Sequence, residues 1–145
     1  DILISTDAVQ HDMDVSALGD PIGTIPRLAE SYFKADEMLV KLAQEAAAET
    51  ADNYHVILGR GASGDKFIRT KEGKEHIKRY VQGDCAEMEG AAIAHACWLN
   101  RIPFVIIRAI SDSADEQANM SYEQFVVLAA KRSSELVEKI LEKLA

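Results

Sequence analysis

The run Phe104-Val105-Ile106-Ile107-Arg108-Ala109-Ile110 does most to restrict the fold. Five of these seven residues are large and apolar, and most of those are β-branched. Such a run reads as a strand covered on both faces, the innermost strand of an α/β sheet. It then breaks into small and acidic residues, Ser111, Asp112, Ser113 and Asp115. Open α/β sheets bind ligands just outside the carboxyl ends of their strands. An acid placed there can be partly desolvated, which raises its pKa and lets it carry a proton at neutral pH. Asp112 is therefore the first candidate for a general acid.

Elsewhere strand and helix patterns alternate. Ile2 to Thr6 reads as a short strand, Tyr54 to Leu58 as a second, and Cys85-Ala86 as a brief extended stretch. Leu39, Leu42, Ala43 and Ala46 recur at helical spacing behind a capping Asp36. Thr70 to Tyr80 reads as a charged surface helix. Met88 to Asn100 reads as a helix of small residues that can press close to a sheet, with His95 as a core histidine. Ser121-Tyr122-Glu123-Gln124 is a capping box opening the last helix. Its expected buried stripe is Val126, Ala129, Ala130, Val137, Ile140, Leu141 and Leu144.

This alternation predicts one α/β domain over residues 1–145, a mixed sheet flanked by helices in three layers. About four strands are few for a sheet covered on both sides. There is no initiator Met, and an apolar strand begins at residue 2, so strands preceding Asp1 are expected to be missing. Residues 7–26 read as an irregular loop, and its Val15, Leu18, Ile22 and Ile25 are expected to cover a neighbouring subunit.

The net charge of −8 argues against a surface that binds a phosphate backbone, but leaves room for a nucleoside in a pocket. No apolar run approaches the roughly 20 residues of a membrane span, and no signal-peptide pattern opens the chain. Cys85 and Cys97 fit neither a disulfide framework nor a zinc spacing, and read as reduced thiols of a cytoplasmic protein.

Three motifs bear on chemistry. Gly59-Arg60-Gly61-Ala62-Ser63-Gly64 fits G-x-G-x-x-G, and Asp84 lies twenty residues beyond it. A dinucleotide fingerprint should open a helix, however, and Asp65-Lys66-Phe67-Ile68-Arg69 has no helical stripe. Glycines that let a strand run on beside a ligand are the simpler reading, with Phe67 and Ile68 as a flat apolar wall. His11, Asp12 and Asp14 form a possible metal set, without a further ligand cluster elsewhere. Glu87 and Glu89 flank Met88 at a helix start. The helix dipole favours carboxylates there, but a carboxylate can also accept both hydrogen bonds of a ribose diol. No nucleophile elbow is present. These residues call for no cofactor and no metal.

The segments Ala86-Glu87-Met88-Glu89-Gly90-Ala91-Ala92-Ile93-Ala94-His95 and Val105-Ile106-Ile107-Arg108-Ala109-Ile110-Ser111-Asp112-Ser113-Ala114-Asp115 resemble the nucleoside phosphorylase/nucleosidase superfamily. Within it they resemble most the bacterial 5′-methylthioadenosine/S-adenosylhomocysteine nucleosidases. Ser5-Thr6-Asp7-Ala8, His11 to Val15, Gly64 to Ile68 and the last helix share in the match. It covers the later part of the family's chain. The opening strands, a glycine-rich loop near the ribose and an early Glu that positions water have no counterpart.

The resemblance implies hydrolysis of an N-glycosidic bond with release of adenine. Asp112, with Ser111 and Ala114 near it, would serve the purine. Phe67 would stack on the base and the backbone of Ile68 would read its edge. Glu89 would hold the ribose hydroxyls, with Met88 against the sugar and Glu87 in support. Arg108 would lie near the attacking water, and Tyr122 near the 5′-alkylthio group. Val15, Leu18 and Pro26 would complete the neighbouring subunit's site in a homodimer. A phosphorolytic relative and a catalytically incomplete fragment are the alternatives.

Overall fold

The computed structural model describes residues 1–50, 54–111 and 121–145. Asp112 and Ala114 lie outside the described residues. A five-stranded mixed sheet is built on β1 (Ile2–Gln10). Along one edge β1 pairs in parallel with β3 (Val56–Ser63), which pairs in parallel with β4 (Cys85–Glu87). Its other edge is shared by two antiparallel strands, β5 (Ile107–Ala109) beside Ile2 to Ile4 and β2 (Tyr32–Lys34) beside Asp7 to Val9.

The innermost strand is thus β1, not the 104–110 run. Only Ile107–Ala109 of that run is strand, and those residues are half-buried. The run is apolar because alternate residues serve different clusters. Val105 and Ile107 pack with Ile2 and Ile4, whereas Phe104 and Ile106 pack with Ala8 and Phe33. Ser5 ties it to β1, donating its backbone N–H to the Ile106 carbonyl at 2.8 Å and accepting the Ile106 N–H on Oγ at 3.0 Å.

Four helices cover the sheet: α1 (Glu37–Thr50), α2 (Lys71–Val81), α3 (Gly90–Asn100) and α4 (Tyr122–Leu144). Their starts follow local chemistry. Asp36 Oδ1 accepts the Leu39 N–H at 2.9 Å, Thr70 caps α2, and Ser121 with Gln124 forms a complete capping box. In α4 the buried residues are Leu136 and Ile140, whereas Val126, Val137, Leu141 and Leu144 are exposed. The α1–α4 layer packs on Ile2 and Ile4 through Ala43, Ala46, Ala47, Leu136 and Ile140. The small face of α3, Ala91 and Ala94, packs on Ala8, Phe33 and Phe104. A register shift in β1 between Ser5 and Asp7 lets one strand serve both clusters, because an extra residue reverses the side-chain alternation.

Gly59, Gly61 and the residues between them lie inside β3, and a seven-residue stretch from Gly64 to Thr70 separates that strand from α2, so no helix opens behind these glycines. Asp84 accepts the Arg60 N–H at 2.8 Å and pairs with Lys78 at 2.9 Å, an anchoring role rather than a ribose contact. The strand β1 also runs on through Gln10, past the expected end at Thr6. In the irregular segment that follows, Ile22, Ile25 and Leu28 pack on the chain's own core, correcting the expectation that Ile22 and Ile25 face a neighbour. Leu18 is 82% exposed, Pro26 is exposed and Val15 is half-buried.

Candidate active site

The parallel strands end together. Gln10 of β1 is in register with Ser63 of β3, and Ser63 with Glu87 of β4. In α/β sheets this carboxyl edge is where ligands bind.

Glu87 is the hub. Its side chain is only 5% exposed. One carboxylate oxygen accepts the Ser63 hydroxyl. The other accepts the backbone N–H of Glu89 at 2.9 Å and of Gly90 at 2.6 Å. Ser63 Oγ in turn accepts the Ala91 N–H at 2.7 Å. Two side chains therefore satisfy three backbone donors, those of Glu89, Gly90 and Ala91, at the start of α3. A Cβ at position 90 would sit 2.9 Å from Glu87 Oε1, so a larger residue there would push the carboxylate from its place. Burial by itself raises the Glu87 pKa, but the Ser63 hydroxyl, the two backbone donors and the Arg108 charge outweigh it and hold the carboxyl below its ordinary value. Glu87 is an ionised, buried anchor.

Arg108 reaches the same place from β5. Its guanidinium lies 3.7 Å from Glu87 and donates to Glu89 at 3.1 Å. Glu89 is 61% exposed and Met88, between the two acids, is 42% exposed. The arrangement is a buried anion, a cation and an open anion in contact. Its net negative charge favours developing positive charge in a ligand and opposes a phosphate anion. The open Glu89 carboxylate has acceptor capacity left for a pair of hydroxyls.

His11 closes the opposite side. Its backbone N–H donates to the Ser63 carbonyl at 2.9 Å, and its ring packs over Gly64, where a Cβ would meet Nε2 at 2.6 Å. Nε2 is buried without a hydrogen-bond partner among the described residues. Burial lowers the His11 pKa against the opposing pull of Asp12, so the imidazole is held neutral. Asp12 accepts the Asp65 N–H at 2.8 Å and Asp14 accepts the Ser16 N–H at 2.9 Å. The carboxylates of Asp12 and Asp14 thus fasten local backbone.

Of the residues expected at the site, Glu87, Met88, Glu89 and Arg108 are brought together. Phe67 is 72% exposed on the segment after β3, and Ile68 packs beside Val9, Ala62, Ile77 and Val81. Tyr122 opens α4, 74% exposed, its ring 6.5 Å from that of Phe125. Ser111 is exposed. Ser63 was not anticipated. Its only sequence signal is a hydroxyl residue at a strand end, too common a pattern to single it out.

The family model described as the phosphorylase superfamily matches residues 1–142. Among solved structures, the chain is similar to 5′-methylthioadenosine/S-adenosyl homocysteine nucleosidase from Campylobacter jejuni, at 39% identity and a TM-score of 0.90, over 99% of this chain and 61% of that one. The Neisseria meningitidis nucleosidase of the same description, in complex with methylthio-immucillin-A, matches at 40% identity and a TM-score of 0.85, over 99% of this chain and 62% of that one. Native futalosine hydrolase of Helicobacter pylori matches at 32% identity and a TM-score of 0.86, over 99% of this chain and 59% of that one. The chain thus spans about three-fifths of the length of these relatives.

Proposed function

Because the chain belongs to the phosphorylase superfamily, we propose that the intact protein hydrolyses the N-glycosidic bond of 5′-methylthioadenosine and S-adenosylhomocysteine, releasing adenine. The observation that carries this reading is the contact of Arg108 with both a buried Glu87 and an open Glu89, beside an exposed Met88. Cleaving such a bond builds positive charge on the ribose and negative charge on the leaving purine. Glu89 accepts hydrogen bonds from the 2′- and 3′-hydroxyls, Met88 packs on the sugar, and the two carboxylates stabilise the cation. Arg108 lies near the attacking water.

At the other end of the scissile bond, Asp112 protonates the purine at N7, with Ser111 and Ala114 beside it. This assistance is worth about 10²–10⁴-fold. Phe67 stacks on the base and the backbone of Ile68 reads its edge. Tyr122 lines the 5′-alkylthio end, which Val15, Leu18 and Pro26 of a neighbouring subunit complete in a cytoplasmic homodimer. No metal or cofactor takes part.

Water rather than phosphate is the nucleophile. The excess of carboxylate over guanidinium at the ribose end opposes an incoming anion, and α3's first donors are already occupied by Glu87 and Ser63. A second reading, hydrolysis of a futalosine-type nucleoside, is favoured by the similarity to futalosine hydrolase. The 145-residue chain alone is catalytically incomplete in this account. Ile57 and Leu58 of β3 and Ile93 and Leu99 of α3 each expose 43–58% of their surface.

The test is product analysis with 5′-methylthioadenosine and futalosine, with and without phosphate, for the intact protein and for this chain alone. The free base of the substrate cleaved, with an unphosphorylated sugar, is expected at a phosphate-independent rate and from the intact protein only. A sugar phosphate as product would overturn the hydrolytic reading, and normal turnover by the 145-residue chain would overturn its incompleteness.

A further inference from the structure

The hydroxyl of Ser63 has no part in the proposed chemistry so far, yet it is 4% exposed and makes two directed hydrogen bonds. It stands where three elements meet: the end of β3, the end of β4 in register with it, and the first turn of α3. As donor it holds one oxygen of Glu87, and as acceptor it holds the Ala91 N–H at 2.7 Å. Glu87 uses its other oxygen on the N–H groups of Glu89 and Gly90 and lies 3.7 Å from Arg108. Arg108 stands farther from that carboxylate, at 3.7 Å.

We propose that Ser63 is a positioning residue for the ribose end of the site. Its hydroxyl anchors the Glu87 carboxylate, and that carboxylate fixes both the Met88–Glu89 turn and the Arg108 guanidinium. Ser63 touches no substrate; it acts through Glu87. The inference rests on the nucleosidase reading for its kinetic consequence only. Its structural half, the orientation and charge of Glu87, stands apart from any activity.

Without the hydroxyl, Glu87 keeps its two backbone donors but loses the one that pins its plane. It can then rotate away from Arg108, and Glu89 loses the fixed turn that aims it. A carboxylate as open as Glu89 still finds a diol in the ground state, whereas its exact placement matters most when charge develops on the sugar. The loss therefore falls on kcat more than on KM. The titratable and charged groups around Glu87 among the described residues are Arg108 from β5, Glu89 on the same turn, Cys85 on its own strand and His11 at the end of β1. Only Arg108 is a permanent cation, so removing the Ser63 donor moves the Glu87 titration upward.

The experiment is a double-mutant cycle in the intact protein, with Ser63→Ala, Glu87→Gln and the pair, together with a carbon-13 titration of the Glu87 side chain. Circular dichroism establishes that each variant is folded. Ser63→Ala is expected to lower kcat for 5′-methylthioadenosine on the order of tenfold to a hundredfold, the value of one hydrogen bond to a charged group. KM should move less, and the acid limb of the pH profile should shift to higher pH. The pair should be no slower than Glu87→Gln alone, because both substitutions break the same link. Independent, multiplying losses would overturn the proposal. So would an unmoved Glu87 titration in Ser63→Ala, whatever the activity. A wild-type protein that cleaves no nucleoside, but whose Glu87 titration responds to Ser63→Ala, would defeat the functional reading and leave the anchoring of Glu87 established.

Discussion

Replacing Glu87 tests the hub directly through stability. In Glu87→Ala, the Ser63 hydroxyl and the Gly90 N–H lose their acceptor in a buried place, while the Glu89 N–H belongs to an exposed residue and turns to water. Two stranded buried donors cost about 3–5 kcal/mol together. Unfolding entropy near 2.1 cal/mol/K per residue over 145 residues is about 0.3 kcal/mol/K, so Tm should fall by roughly 10–16 °C. Glu87→Gln is milder. Its carbonyl oxygen can keep the two backbone donors, but its amide then faces Ser63 as a donor. Ser63 Oγ can accept from both the amide and Ala91, which leaves the hydroxyl hydrogen without a partner. One lost bond of that kind costs about 1–2 kcal/mol, or roughly 3–7 °C.

The pH dependence supplies a second reading of the same pair. The folded pKa of Glu87 lies below its ordinary 4.5, so its stabilising contribution is complete above about pH 4.5 and is lost as pH falls through the folded value. The gap between wild type and Glu87→Gln should therefore close on acidification. Thermal melts followed by circular dichroism from pH 7 to pH 3 read both effects. A Glu87→Ala protein melting within about 3 °C of wild type, or a gap independent of pH, would refute the description of Glu87 as a buried ionised anchor.

Other consequences are smaller in scope. Leu136 is fully buried and Val127 is 72% exposed, so Leu136→Ala should cost about 2–5 kcal/mol in denaturant melts and Val127→Ala less than about 0.5 kcal/mol. Burial, then the nearby Glu87 charge, pushes the Cys85 thiol up to about 11, so alkylation of Cys85 at pH 8, read by peptide mass spectrometry, should be far slower in the folded protein than in urea. His11 has a folded pKa below its ordinary 6.5, so the stability it confers is complete above pH 6.5 and declines as pH falls toward the folded value. His11→Gln should flatten that stretch of the pH–Tm curve.

What could be read from the sequence was local. Asp36, Thr70 and the Ser121–Gln124 box mark helix starts because a cap acts over three or four residues. The family resemblance rested on contiguous motifs and agrees with the match over residues 1–142. What escaped was set by tertiary partners. Tyr32–Lys34 is only three residues long, and only its antiparallel pairing with Asp7 to Val9 makes it a strand. The 104–110 run looked central because it is apolar throughout, yet its residues divide between two clusters beside β1. The expected α4 stripe holds at Ile140 but not at Val137, because amphipathic periodicity fixes a face only approximately, and Leu136 rather than Val137 meets α1. Residue type and spacing leave Glu87 and Glu89 alike, and only the resemblance implies different roles for them; the return of the first to its own helix start separates a buried anchor from an open acceptor.

Acid-assisted departure of adenine is tested by one rate. Adenine release from 5′-methylthioadenosine by the intact protein should fall about 10²–10⁴-fold in Asp112→Asn, with the melting temperature little changed. Turnover within a few-fold of wild type in that variant would contradict the claim.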